Sequence, residues 1–148
     1  MRTSISTLPS SELPKGGPEF MVAPLQGGAT CVDLYRKYAA TPFVCHPREP
    51  AMAIIRTPVL ATPDRVALVS AIWSASVLNV DLNIRRFEGT LFANDPWIGL
   101  INVELGSLAI GAYDVFVRST VLRFRDLTHP EEATGPHFSE QRFHFECH

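Results

Sequence analysis

Between Leu78 and Arg85 the chain alternates strictly, with Leu78, Val80, Leu82 and Ile84 set between Asn79, Asp81, Asn83 and Arg85. Successive side chains of a strand point to opposite faces, so this segment has one apolar face and one wet face. A helix would scatter the four apolar residues around its circumference. The same period runs through much of the chain after Ala51. Met52 to Thr57 predicts a short strand stopped by Pro58, as at a sheet edge. Val66 to Trp73 is apolar and rich in β-branched residues, which suits a strand buried on both faces. Ser74-Ala75-Ser76 predicts a turn, Glu88-Gly89 a turn or bulge, Thr90 to Ala93 a short strand, and Asn94-Asp95-Pro96 a further turn. Trp97 to Leu105 then sets Ile101, Val103 and Leu105 against Asn102 and Glu104.

Further on, Tyr113, Val115 and Val117 face one way, with Asp114 and Arg118 opposite. Leu122 and Phe124 fall in the other phase, so a bulge or bend between sheets is expected near Ser119-Thr120. A polar loop over 126–137 follows. Phe138 to Cys147 closes the chain with Phe143, Phe145 and Cys147 inward and His144, Glu146 and His148 outward. The sum is about seven strands with turn residues at short intervals, the pattern of a β-sandwich.

The first 50 residues read differently. Prolines at 9, 14, 18 and 24 and glycines at 16, 17, 27 and 28 oppose any helix, and an irregular arm, flexible or loosely docked, is expected over 1–30. Val32 to Ala40 is the one helical segment, with Leu34 and Tyr38 on a shared face and Pro42 beyond its end. Pro42, Pro47 and Pro50 mark a linker, which divides the chain into an arm (1–50) and a sandwich domain (51–148). Met21 is an alternative start, because the residues before it resemble a cloning-style junction or an over-extended reading frame.

Leu108, Gly111, Tyr113, Val115 and Val117 spell L-x-x-G-x-Y-x-V-x-V. This resembles the lead into the penultimate strand of immunoglobulin-like and fibronectin type III-like domains. The resemblance implies an antiparallel immunoglobulin-like β-sandwich, in which the tyrosine hydroxyl bonds to backbone at a corner and the glycine permits a tight approach. The Cys–Trp–Cys spacing of antibody domains is missing. Ten residues of likeness speak to fold and leave function open.

Composition narrows the function classes. A hydrophobic fraction of 46% and a net charge of −2 suit a globular domain with no general attraction to nucleic acid. No run is long and apolar enough for a membrane span, and no secretory leader is visible, so a cytoplasmic protein is expected. Cys31, Cys45 and Cys147 make no disulfide framework. Cys31 and Cys45 could bridge in an oxidising compartment; otherwise all three are reduced thiols.

Candidate chemistry is sparse. His144, Glu146 and His148 alternate on one strand face and offer ligand types that zinc accepts. Residues two apart on one strand do not converge without ligands from elsewhere, and a solvated polar face is the favoured reading, so no metal or other cofactor is expected. Cys45 and His46 are neighbours that point apart, a poor nucleophile–base pair. No serine elbow or phosphate loop is present, and no catalytic residue is assigned.

Binding candidates are Phe116, Arg118, Arg123, Arg125 and Trp97. Phe116 is an aromatic on an otherwise wet face beside arginine, a composition typical of contact surfaces; packing under the N-terminal arm would account for it equally well. Arg118, Arg123 and Arg125, with Arg85 and Arg142, could converge on one sheet. Trp97 beside Pro96 is a core lid or, less expected, a stacking platform for sugar. A non-enzymatic interaction module that binds a protein partner or itself is the leading expectation. A small β-barrel that binds or cyclises an apolar molecule is the alternative, and a structural subunit of a larger assembly is the third.

Overall fold

The computed structural model describes residues 2–14, 17–91 and 93–148. It is mostly strand: β1 (Thr3–Pro9), β2 (Phe20–Pro24), β3 (Ala51–Arg56), β4 (Arg65–Ser74), β5 (Val77–Phe87), β6 (Trp97–Gly106), β7 (Gly111–Phe124) and β8 (Thr134–Cys147). One helix, α1 (Cys31–Ala40), lies between β2 and β3. The strands form two four-stranded sheets, in the order β1-β6-β3-β2 and β4-β5-β7-β8. These open sheets face each other as a sandwich, so a closed barrel around a ligand is not the architecture.

Alternation builds the central core. Leu78, Val80 and Leu82 of β5 and Val115 and Val117 of β7 meet Ala53, Ile55, Ile101, Val103 and Leu105 of the first sheet. Each fully buried aliphatic side chain here stabilises the fold by roughly 1.5–3 kcal/mol relative to exposure. At one end, Trp73 meets Tyr113 edge-on at 5.8 Å between centroids, and Tyr113 stacks on Phe145 at 5.3 Å. Phe20 of β2 stacks on Phe143 at 5.0 Å and fastens the two sheets together.

A third layer covers the first sheet. Leu34 and Tyr35 of α1 bury against Met21, Ala23, Met52, Ile54, Ile98 and Leu100, residues on the face away from the second sheet. The helix starts where Thr30 Oγ1 accepts from Asp33 N at 3.1 Å, satisfying one of the first-turn donors. The Tyr35 hydroxyl donates to Pro18 O at 2.8 Å, tying helix to chain before β2. Strands β3 and β6 are therefore buried on both faces.

Several expectations change. The stretch over 1–30 is no irregular arm along its length, since β1 pairs with β6 from Thr3↔Val103 to Pro9↔Trp97 and β2 pairs with β3. Proline is tolerated there because both strands are sheet edges, where one side of the backbone needs no partner. β3 is central rather than an edge. β4 is an edge rather than a strand buried on both sides, and its Val69 and Ile72 are exposed.

The sandwich is not wholly antiparallel: β5 and β7 pair parallel, Leu78↔Val115 to Phe87↔Phe124. The chain leaves β5 for the other sheet, descends as β6 and returns, so two reversals bring β7 back in the direction of β5. The irregularity expected at Ser119-Thr120 lies further along, between Val121 and Arg123 in the pairing with β8. Of the strand expected over Thr90 to Ala93, Phe92 lies outside the described residues and the others are not strand.

The corner at 108–117 takes a definite form. The Tyr113 hydroxyl donates to Ala109 O at 2.7 Å. Gly111 has φ +154°, whereas a Cβ there would meet nothing within 4 Å. Backbone conformation, and not a close approach, is what requires glycine at this position.

Candidate interaction face

The outer face of the second sheet carries the residues of interest, and strand register decides which of them meet. Parallel pairing of β5 with β7 sets Asn79 beside Phe116 and Asp81 beside Arg118. Antiparallel pairing of β7 with β8 sets Asp114 beside His144, Phe116 beside Arg142, Arg118 beside Glu140 and Thr120 beside Phe138. On the other flank Ile72 lies beside Asn79, and Ser70 Oγ donates to Asp81 Oδ2 at 3.1 Å. Among the described residues no N-terminal element lies over Phe116, because β1 and β2 belong to the first sheet and α1 packs on that sheet's far side.

Two arginine–aromatic pairs dominate the face. The Arg142 guanidinium stands over the Phe116 ring at 5.4 Å, and that of Arg118 over Phe138 at 5.3 Å. Such pairs contribute about 0.5–1 kcal/mol at exposed sites. Arg118 Nε also lies 4.0 Å from Glu140 Oε1. Phe116 and Arg142, with Val77, Asn79 and Asp114, line a depression of about 320 Å³. Phe138 is 53% exposed and Ile72 61%, so large apolar side chains remain in water on this face.

His144 of β8 and His148 just beyond it form a row with Asp114 and Glu146. His144 Nδ1 is 2.9 Å from Asp114 Oδ1, His144 Nε2 is 3.6 Å from Glu146 Oε1, and His148 Nε2 is 3.5 Å from Glu146 Oε2. The carboxylates intervene between and beside the imidazoles, so the set does not converge on one point. Among the described residues no group of three such side chains could hold a metal ion. The hydrogen bond to Asp114 is the main cause that raises the His144 pKa, with Glu146 adding to it and desolvation opposing. Protonated His144 is favoured by the fold, so this contribution is full below the ordinary histidine pKa and is lost as pH rises through the raised value. An NMR titration is expected to place His144 above an unstructured histidine, and Asp114→Asn to bring it down. Equal values in the two proteins would refute the pairing.

The remaining arginines and Trp97 lie elsewhere. Arg123 and Arg125, expected to join Arg118, instead bind Glu88 at 3.2 and 3.4 Å at the far end of β7. They stand apart from the central rows, with Arg125 just beyond the end of β7. Arg85 Nη1 donates to Pro130 O at 2.7 Å under the β7–β8 loop. Trp97 begins β6, and its indole N–H donates to Ala61 O at 2.7 Å. It lines an open groove of about 500 Å³ between β1 and β4, with Ile5, Thr7, Pro9 and Val66. Phe138 was not among the residues singled out from the sequence. The even-numbered run Phe138, Glu140, Arg142, His144 was the signal that could have found it.

All three cysteines are buried, free thiols. Cys31 opens α1 and buries in the cluster beneath the helix, while Cys45 and Cys147 share a different cluster, which removes the Cys31–Cys45 bridge. The segment after Pro42 runs to the end of β8, where Cys45 pairs with Cys147 in an isolated parallel bridge. Burial pushes the Cys31 thiol up to about 11. Burial, then the neighbouring Cys147 thiol, pushes Cys45 up to about 12. The thiolate is the reactive species, so native protein at neutral pH is expected to resist iodoacetamide and to label at all three cysteines once unfolded. Mass spectrometry checks this, and rapid labelling of the native chain would contradict it.

Among the described residues no helix is long and apolar enough to cross a membrane. No protein-family model, curated protein or solved structure matches this chain.

Proposed function

We propose that this protein is a non-enzymatic interaction module of immunoglobulin-like class, and that the outer face of β4-β5-β7-β8 is its contact surface. The observation that carries this reading is the pair of arginine–aromatic stacks, Arg142 on Phe116 and Arg118 on Phe138, on the outer face of the sheet, with both arginines and Phe138 exposed and Phe116 half-buried. Arginine and aromatic residues are the types that concentrate binding energy at protein interfaces. Within the fold these side chains complete no core, so their chemistry is available to a partner. The Tyr113–Ala109 corner bond supports the immunoglobulin-like class. Three buried reduced thiols suit a cytoplasmic setting.

The test is capture by immobilised protein from extract of its source cells. A retained species is expected with the wild type and with Arg125→Ser, which alters the far end of the molecule. It is expected to be lost with Phe116→Ser and with Arg118→Ser. Equal retention by all four proteins, or none by the wild type, would overturn the reading.

A further inference from the structure

The four edge strands of the sandwich are not equally protected against pairing with another chain. β1 ends in Pro9, and β2 is a five-residue strand ending in Pro24. β4 carries a register shift between Leu68 and Ser70 that bends its edge. Short edges, proline and bulges each discourage strand addition. β8 is different. It is fourteen residues long, its pairing with β7 is regular from Gly111↔Cys147 to Val121↔His137, and Thr134 to Glu140 are exposed. Along its free side the described residues provide one backbone bridge, Cys45↔Cys147, at the extreme end. The stretch from His137 to Phe145 presents an open row of backbone donors and acceptors.

The side chains on that row are self-complementary in one register. A two-fold axis perpendicular to the sheet requires residues of the same face to oppose each other, so its centre must fall on a residue. Centred on Gln141, it sets Glu140 opposite Arg142 of the second copy, twice over, with Phe138 opposite His144. Centred on Glu140, it would oppose Glu140 to itself; centred on Arg142, it would oppose Arg142 to itself. Like charges directly opposite are destabilising, whereas opposite charges and aromatic pairs are favourable. Arg142 has no carboxylate within 4.0 Å among the described residues, its guanidinium resting on Phe116, so it is available to Glu140 across the axis.

We propose that this protein pairs with a second copy of itself along β8, antiparallel and two-fold symmetric about Gln141, joining the two outer faces into one continuous eight-stranded surface. The inference rests on the reading of that face as a contact surface and names its partner. Pairing doubles the exposed arginine–aromatic surface and closes the least protected edge of the fold.

Light scattering across a concentration series tests this on the whole chain, with far-UV melting curves to verify that each variant folds. The wild type is expected to move from the 16.4 kDa monomer towards twice that mass as concentration rises. Glu140→Arg and Arg142→Glu each create two like-charge oppositions and are expected to weaken the dimer about tenfold or more. The double variant E140R/R142E restores both oppositions with signs exchanged and is expected to recover the dimer. A wild type that stays monomeric, charge reversals without effect, or a double variant that remains monomeric would each overturn the proposal. A monomer that still captures a partner through Phe116 and Arg118 would sink self-pairing alone and leave the interaction-module reading standing.

Discussion

Asp64→Ala is expected to lower the stability of the fold by about 3 kcal/mol, as a loss in urea midpoint at unchanged slope. Asp64 is 3% exposed and stands in the crossing from β3 to β4. Its Oδ2 accepts from Ala61 N and its Oδ1 from Phe87 N, each at 2.8 Å. One carboxylate thus closes the turn before β4 and pins the end of β5 to it. Hydrogen bonds to a charged acceptor contribute about 1.5–3 kcal/mol each, and alanine would leave both backbone donors partnerless. Asp64→Asn keeps one acceptor oxygen and turns an amide N–H towards the other donor, so it is expected to recover no more than about half the loss. A midpoint within error of wild type for Asp64→Ala would show that water or a shifted backbone replaces the clamp.

The second large effect concerns β6. Leu100→Ala and Ile101→Ala are each expected to destabilise by about 2–5 kcal/mol, the range for truncating a buried aliphatic side chain. Both residues are fully buried, although neighbours on a strand point to opposite faces. Ile101 fills the space between the sheets, and Leu100 fills the space under α1. A two-layer sandwich would leave Leu100 in water, where truncation costs well under about 1 kcal/mol. Comparable losses at the two positions would therefore demonstrate the helical layer in solution. A tolerant Leu100 would mean that α1 does not cover the sheet.

The candidate face and β8 also bear on how the protein is handled. A long open edge with Phe138 in solvent is a template for strand addition, and charges are what keep such edges soluble. Glu140, Arg142 and Arg118 charge the candidate face, so any association through it is expected to depend on ionic strength as well as on concentration.

Much of the strand structure was legible because it rests on local rules. Leu78, Val80, Leu82 and Ile84 are the buried side of β5 in the structure, as their alternation requires. α1 starts at Cys31 and ends at Ala40, close to the helix predicted from Leu34, Tyr38 and Pro42. The turn at Ser74-Ala75-Ser76 forms, with Ala75 at φ +52° between β4 and β5. Each of these depends on a residue and its near neighbours, and periodicity reports that directly.

What the local pattern could not report is which strands lie side by side. β1 and β2 were hidden because edge strands tolerate the proline content that suggests an arm. The double burial of β6 was hidden because Ile98 and Leu100 need a covering layer that comes from sixty residues earlier in the chain, roughly, and helix packing leaves no mark on the strand it covers. The candidate face shows the same division. Alternation places Phe116, Arg118 and His144 on outer surfaces, but the parallel return of β7 beside β5 and the register with β8 bring Arg142 over Phe116 and Glu140 beside Arg118. By itself the amino-acid sequence determined the all-β class, the helix and the alternating strands such as β5 with their inner and outer sides, because side-chain direction has a local period. Only the tertiary structure decided the strand order, the parallel pair, the third layer and the side-chain pairs of the candidate face, because neighbours across a sheet are set by chain crossings that no local period records.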